Sequence, residues 1–225
     1  MAIIQLQLNR NLYVRDPQET ELGRKIVKNS IVLIDEIGFE KFTFKKLAAN
    51  IESTEASIYR YFENKHRLLV YLIAWYWNWL EYVIDYQTNN IQDANEQLRI
   101  AIHIATKRKI IDPYFPQIDE EALHRIIIAE SDKTYLTKQV DEDNKEGLFR
   151  GYKSLCKKIA DMVKEINPTY KYPHALISTV LQASHQQIFF SQHLPSLTEL
   201  DFSSDKLNDQ NFDFLYLLVI NTIQS

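Results

Sequence analysis

The chain has 225 residues, of which 45% are hydrophobic and 25% charged, a composition that predicts one globular domain or two small ones. Its single cysteine, Cys156, excludes an internal disulfide framework and any zinc site built from several cysteines, and favours a reducing cytoplasm. The net charge of −4 is spread unevenly, because the N-terminal third is mildly cationic and the rest acidic, which is weak evidence for a polyanionic partner.

Glycine and proline are scarce, with four and six residues respectively, too few for the many tight turns of an all-β fold. The sequence therefore predicts an all-α protein of long helices joined by short loops. Residues 1–16 alternate apolar and polar side chains, as an edge strand or a loose arm would, and their role stays open. We expect no signal peptide here, because a basic n-region is missing.

The first predicted helix follows Asp16-Pro17 and ends at Gly38, where we expect a left-handed cap. Thr43 is the predicted N-cap of a second, short helix over residues 44–51. These two elements are amphipathic, so each has one face available for a core.

A third helix is predicted from a cap at Ser53 or Thr54, and a fourth from Asn64 to about Gln87. The turn of three to four residues between the second and third helices is typical of a helix-turn-helix, whose second helix enters the major groove of DNA. On this third helix, Ile58 and Phe62 lie four residues apart and form the inward line.

Tyr59 and Arg60 point away from that line, and an arginine can bind guanine or a phosphate with both of its terminal nitrogens. Ser57 can donate or accept a hydrogen bond, and Ala56 would allow close approach to a thymine methyl group. The alternative is a plain packing helix whose aromatic residues belong to a core.

Thr43-Phe44, Leu47-Ala48 and the run TEASIYRYFENKHRLL over residues 54–69 resemble the DNA-binding domain of the TetR family of bacterial transcriptional regulators. The resemblance covers about the first seventy residues. It implies an all-α homodimer with three DNA-binding helices, a larger ligand-sensing domain, and release from the operator when an effector binds. Two positions depart from the family pattern, since Glu52 stands in a turn that often holds glycine and Glu55 begins the recognition helix.

The resemblance also implies that Thr43 and Lys65 contact phosphates and that Tyr59 grips the DNA backbone. Lys65, His66 and Arg67 oppose the dipole of the helix they begin, and a bound phosphate would remove that mismatch, unless the side chains simply point into water. The full predicted DNA-binding set is Thr43, Lys45, Thr54, Glu55, Ala56, Ser57, Tyr59, Arg60, Tyr61 and Lys65.

The fourth helix carries aromatic residues at helical spacing along one face: Tyr71, Trp75, Trp79, Tyr82 and Tyr86. They are either core residues at a domain junction or the lining of a cavity for a small apolar or aromatic effector. The predicted effector-binding residues are Trp75, Trp79, Tyr82, His103, Phe149 and Tyr152. The apolar run over residues 68–77 is too short to span a membrane.

Further helices are predicted over residues 91–109, 119–131, 137–166, 173–193 and 208–223, divided by prolines 113, 116, 168 and 195. The last two are expected to pair with their symmetry mates in a four-helix bundle, which would place two recognition helices about 34 Å apart on a palindromic site. The alternative is a monomer that covers these helices itself. The predicted interface residues are Ile177, Val180, Leu181, Ser184, Ile188, Phe212, Leu215 and Val219.

The predicted domains are an arm over residues 1–17, a helix-turn-helix domain over 18–67, and an effector-binding and dimerisation domain over 68–225. The histidines lack metal-ligand spacing, and we find no glycine-rich phosphate loop and no nucleophile motif, so neither a metal, a cofactor nor an enzyme is predicted. The leading interpretation is a DNA-binding transcriptional repressor that a small molecule releases from a palindromic double-stranded operator. The alternative is a helical ligand-binding or adaptor protein with weak DNA affinity, and an enzyme comes third.

Overall fold

The computed structural model describes residues 5–107, 115, 117–201 and 207–224, and within them the regular structure is entirely helical. This confirms the predicted all-α class. Besides three short 3₁₀ turns, the described elements are α1 Glu21–Ile37, α2 Phe44–Asn50, α3 Glu55–Tyr59, α4 Lys65–Thr88, α5 Ala94–Thr106, α6 Glu120–Glu130, α7 Asp132–Tyr135, α8 Val140–Lys145, α9 Arg150–Ile166, α10 Pro173–His193 and α11 Leu207–Gln224.

Two compact units are formed by these helices. The first comprises Met1–Asn78 and Lys109–Gly151, and in it α1 packs against both α2 and α6. The second comprises Trp79–Arg108 and Tyr152–Ser225, and its core lies where α5, α10 and α11 pack together. This division by packing does not fall at residue 67, and the functional division into three domains stays a prediction.

Helix α1 begins later than the sequence indicates. Asp16 caps a separate 3₁₀ turn, and the Thr20 hydroxyl accepts the Gly23 N–H as the true N-cap of α1. At the other end, the Gly38 N–H donates to the Ile34 carbonyl at 2.8 Å. Gly38 has φ +76° as expected, but its ψ of 154° lies outside the left-handed helical region.

The helix predicted over residues 137–166 is interrupted, because the chain turns at Gly147 between α8 and α9. Gly147 has φ +76°, and the Leu148 N–H donates to the Asp143 carbonyl at 3.0 Å, which together form a Schellman-type end. A Cβ at residue 147 would lie only 2.7 Å from Arg150 Nε, so glycine is required on both counts.

Residues 5–16, called the N-terminal arm below, are neither a strand nor loose. Leu12 is buried, and the Val14 N–H donates to the Tyr61 carbonyl at 2.8 Å. Asn9 Nδ2 donates to the Gly147 carbonyl at 2.8 Å. The arm is therefore held at both ends within the first unit.

The boundaries of the other helices lie close to the prediction. Helix α5 starts at an Asp93 cap instead of residue 91, and its predicted end at residue 109 lies outside the described residues, as do the predicted breaks at prolines 113 and 116. The apolar run over residues 68–77 is buried within α4. Among the described helices, none is sufficiently long and apolar to cross a membrane.

Candidate nucleic-acid interface

The helix-turn-helix consists of α2, a four-residue turn and α3. Both of its helices begin with the predicted caps, since Thr43 Oγ1 accepts the Lys46 N–H and Thr54 Oγ1 accepts the Ser57 N–H, each at 3.2 Å. In the turn, Glu52 takes φ +53°, a left-handed conformation that costs a non-glycine residue roughly 1–2 kcal/mol. This is the turn in which the family pattern often has glycine.

Helix α3 is oriented as its sequence pattern predicts. Ile58 and Phe62 are fully buried, whereas the Tyr59 side chain is 50% exposed. Arg60 is also exposed, and no ion pair engages it within the described residues. The Tyr59 ring meets Phe44 edge to face at 5.0 Å between centroids, which fixes the ring on α2 while half of the side chain faces solvent.

The remaining predicted contact residues of the helix-turn-helix are accessible to a ligand. Glu55 and Ala56 are exposed at the start of α3, and Ser57 is half-buried with its hydroxyl 2.9 Å from Thr54 Oγ1. Thr43 and Lys45 are exposed at the start of α2. Contact of these residues with DNA stays a prediction. Such contact requires accessible side chains, and these side chains are accessible.

Tyr61 departs from the prediction. It is 3% exposed, and its hydroxyl lies 2.7 Å from Thr20 Oγ1, so the side chain packs on the start of α1 instead of facing a ligand. The guanidinium of Arg15, which sequence reasoning did not select, lies over its ring at 5.7 Å. Because Tyr61 lies two residues beyond the end of α3, helical periodicity did not predict that its side chain is buried.

The ammonium group of Lys65 is used within the subunit. Nζ donates to the carbonyls of Phe39, Glu40 and Phe42 at 3.1, 3.2 and 3.3 Å, and it lies 4.7 Å from the Phe39 ring centroid. An ammonium group has three protons, and all three face the loop between α1 and α2. The loop therefore holds Nζ in this structure, and a phosphate contact through Nζ stays a prediction.

The two side chains next to Lys65 lie against carboxylates of the same subunit. His66 Nε2 lies 3.1 Å from Asp143 Oδ2, and Arg67 Nη1 donates to Glu146 Oε2 at 2.9 Å. The Arg67 side chain is only 15% exposed. The acidic residues of α8 and its end therefore compensate the mismatch between these cations and the dipole of α4.

The six predicted effector-binding residues are divided between the two units. In the first unit, Trp75 is 1% exposed and meets Phe115 edge to face at 5.3 Å, and Phe149 is 9% exposed. The second unit contains Trp79, Tyr82, His103 and Tyr152. Their role in binding an effector stays a prediction.

Polar groups lie inside the aromatic core that α4 and α6 form in the first unit, and sequence reasoning did not select them. The Tyr76 ring stacks on His124 with centroids 5.8 Å apart, and burial raises the pKa of Tyr76 well above its usual value. Trp77 Nε1 donates to the Tyr135 hydroxyl at 2.7 Å. Over the described chain, no group of three or more His, Cys, Asp or Glu side chains is placed to hold a metal ion.

Most of the predicted dimer-interface residues belong to the core of one subunit. Ile177, Val180, Leu181, Ser184, Leu215 and Val219 are at most 2% exposed, and Ile188 is 7% exposed. Phe212 is half-buried, with its ring edge to face against His103 at 5.2 Å. Side chains already buried between α5, α10 and α11 have almost no surface left to bury against a second copy. The prediction therefore selected the face of these helices that packs within the subunit.

The other side of α11 is exposed and apolar. Phe214, Leu217 and Leu218 are 46%, 57% and 38% exposed, and their spacing of three and four residues places them on one face of the helix. A helix that is apolar all round has two such faces, and periodicity cannot tell which one its own subunit covers.

Comparison with known proteins gives one sequence match and several structural ones. Residues 26–72 match the sequence model of the family described as bacterial regulatory proteins, tetR family. None of the curated protein sequences compared with the chain matches it significantly.

Three solved structures resemble the whole fold. A complex of AibR with isovaleryl coenzyme A and operator DNA has 16% identity and a TM-score of 0.58, covering 87% of this chain and 97% of that one. The fatty acid degradation regulator FadR from Bacillus halodurans has 17% identity and a TM-score of 0.56, covering 89% and 95%. The superantigen PfiT has 14% identity and a TM-score of 0.56, covering 88% and 96%.

At these identities the structural likeness establishes the fold alone, as the superantigen among the three illustrates. The family match is more specific, because it covers the helix-turn-helix whose recognition helix is exposed as DNA binding requires. Residues 26–72 therefore form a helix-turn-helix domain of the kind described as bacterial regulatory proteins, tetR family.

Proposed function

We propose that the chain is a repressor that binds a palindromic operator as a homodimer and leaves it when a small apolar or aromatic effector binds. The observation that carries the proposal is the orientation of α3 and of the residues that follow it: Ile58 and Phe62 are buried, whereas Tyr59 and Arg60 are exposed. The proposed activity is binding, without a catalytic step, and it takes place in the cytoplasm, where bacterial DNA lies.

On the operator, α3 enters the major groove and Arg60 reads a guanine or holds a phosphate at the groove edge. Ser57 and Ala56 lie close to the bases, and Glu55 can accept a hydrogen bond from a cytosine amino group. Lys45, at the start of α2, is exposed without an ion pair among the described residues and is positioned to contact the backbone.

The effector site is proposed in the first unit, in the aromatic surroundings of Trp75 on α4. Such surroundings favour apolar ligands, and buried polar side chains such as those of Tyr76 and His124 are the kind that orient them. Because the AibR structure contains isovaleryl coenzyme A, short acyl thioesters are reasonable first test ligands.

The dimer is proposed to form through the exposed face of α11 that carries Phe214, Leu217 and Leu218. A twofold axis beside this face brings the same three residues of a second copy against them, as an isologous interface requires. The two recognition helices can then read successive major grooves, about 34 Å apart.

The test is selection of DNA by the purified protein from a pool of random duplexes. Enrichment of an inverted repeat, bound with a steep salt dependence, is the expected result. Titration of the bound duplex with isovaleryl coenzyme A and free branched-chain acids then tests for release.

One observation favours the alternative of a helical ligand-binding or adaptor protein. Lys65, His66 and Arg67 are engaged within the subunit, which leaves few free cations beside the exposed Glu52 and Glu55. Recovery of unrelated duplexes, with weak affinity at low salt, would support the alternative and refute the repressor.

A further inference from the structure

We propose that Arg15, in the N-terminal arm, is a second DNA contact that binds the phosphate backbone beside the groove occupied by α3. The inference rests on the proposed function and extends it to a segment outside the helix-turn-helix. The arm contacts Tyr61, which follows the recognition helix by two residues.

Hydrogen bonds hold the arm at Asn9 and at the two neighbours of Arg15, Val14 and Asp16. Asn9 Nδ2 donates to the carbonyls of Glu146 and Gly147 at 2.9 and 2.8 Å, and the Val14 N–H donates to the Tyr61 carbonyl at 2.8 Å. Downstream, Asp16 Oδ1 accepts the Gln18 N–H at 2.8 Å. A side chain on a fixed backbone loses less conformational entropy on binding than one on a loose tail.

The position of Arg15 around α3 follows from Tyr61. Tyr61 lies two residues beyond the end of α3, and its hydroxyl lies 2.7 Å from Thr20 Oγ1 at the start of α1. The Arg15 guanidinium covers the Tyr61 ring at 5.7 Å. Arg15 therefore lies close to the C-terminal end of the recognition helix, and we infer that it faces the sugar-phosphate strand bordering a groove filled by α3.

The charge of Arg15 is available for a ligand. The residue is exposed and forms no ion pair within the described part of the chain. The carboxylate of its neighbour Asp16 accepts hydrogen bonds from the Gln18 N–H and the Tyr13 hydroxyl, and Glu63 lies 4.0 Å from Arg67. Among the described residues, neither carboxylate forms an ion pair with the Arg15 guanidinium.

These features select a phosphate over a base as the ligand. A guanidinium matches two phosphate oxygens, and Arg15 belongs to the arm and not to the helix that enters the groove. Because the Lys65 ammonium is used by backbone carbonyls, Arg15 supplies a backbone contact that the helix-turn-helix lacks there.

The experiment measures binding by fluorescence anisotropy between about 50 and 200 mM salt, with the selected operator duplex and a random duplex of equal length. Arg15→Ala is expected to weaken both duplexes by the same factor, about threefold at the higher salt, and to reduce the slope of log affinity against log salt by about 0.9. Arg15→Lys keeps the charge and is expected to keep the slope.

Arg10→Ala is the matched control, since Arg10 is exposed on the same arm but follows the Asn9 anchor near Gly147. It removes the same charge and is expected to change the slope clearly less. If Arg15→Ala does not fold, as judged by circular dichroism, Arg15→Gln replaces it because its stem still covers Tyr61.

An unchanged slope in Arg15→Ala, or an equal change in Arg10→Ala, would overturn the inference while leaving the proposed function intact. A larger loss on the operator than on the random duplex would also overturn it, since that pattern indicates a base contact. Failure of the unmodified protein to bind any duplex would instead refute the proposed function, and the inference with it.

Discussion

Replacing Lys65 with methionine removes an ammonium group that donates to three carbonyls of the loop between α1 and α2. The methionine keeps most of the apolar stem, so the change isolates the hydrogen bonds and the contact of the cation with the Phe39 ring. A hydrogen bond to a charged group contributes about 1.5–3 kcal/mol when buried. These three are long and Lys65 is only half-buried, so water can replace part of each.

We therefore expect the free energy of unfolding to fall by about 2 kcal/mol in total. For a chain of this length, that corresponds to a drop in Tm of about 4–8 °C. Urea denaturation followed by tryptophan fluorescence measures the change, because Trp75 and Trp77 are buried in the same unit as Lys65. The salt dependence of DNA binding should stay that of the unmodified protein.

Lys45→Met is the control, since Lys45 is exposed at the start of α2. It should leave the free energy of unfolding within about 0.5 kcal/mol of the original and reduce the salt slope instead. The reverse pattern, with Lys65→Met fully stable and its salt slope reduced by about one, would refute the reasoning and restore the phosphate contact implied by the family resemblance.

Five further substitutions test other parts of the structure. Arg60→Ala should reduce discrimination between operator and random DNA by about tenfold or more, and an equal loss on both duplexes would contradict the groove assignment. Glu52→Gly should raise the free energy of unfolding by about 0.5 kcal/mol, because relief of the left-handed strain exceeds the added entropy of the unfolded chain. A lower free energy of unfolding in urea would instead show that the Glu52 side chain stabilises the turn. Gly147→Ala should cost about 1–2 kcal/mol in the same assay, since it strains φ +76° and displaces Asn9 from its anchor, and an unchanged midpoint would contradict that account. Leu217→Asp should convert the proposed dimer to a folded monomer, as measured by sedimentation. The buried Leu215 is the contrast, since Leu215→Ala should lower the free energy of unfolding of the subunit by about 2–5 kcal/mol. A Leu217→Asp protein that stays dimeric would exclude the exposed α11 face as the interface.

Local features of the helix-turn-helix could be predicted from the sequence because their partners lie within a few residues. The caps at Thr43, Thr54 and Asn64 each accept an N–H three residues later, a relation fixed by helix geometry. The inward placement of Ile58 and Phe62 follows from helical periodicity in the same way.

Side chains that act over long stretches of chain could not be assigned in this manner. Lys65 is bound by carbonyls more than twenty residues earlier, and Arg67 by Glu146 from a distant helix end. The family pattern includes a lysine at this position, but the pattern does not indicate which groups accept hydrogen bonds from its ammonium group. The N-terminal arm is a similar case, since alternation of apolar and polar residues does not reveal anchors at Tyr61 and Gly147.

By itself the sequence determined the all-helical class, the helix-turn-helix and the outward face of its recognition helix, because hydrophobic periodicity and capping act over a few residues. Only the tertiary structure decided which cations remain free for a ligand and which face of α11 is exposed. Both depend on contacts between residues far apart in the chain, and α5 and α10 bury Leu215 and Val219 while leaving Leu217 in solvent.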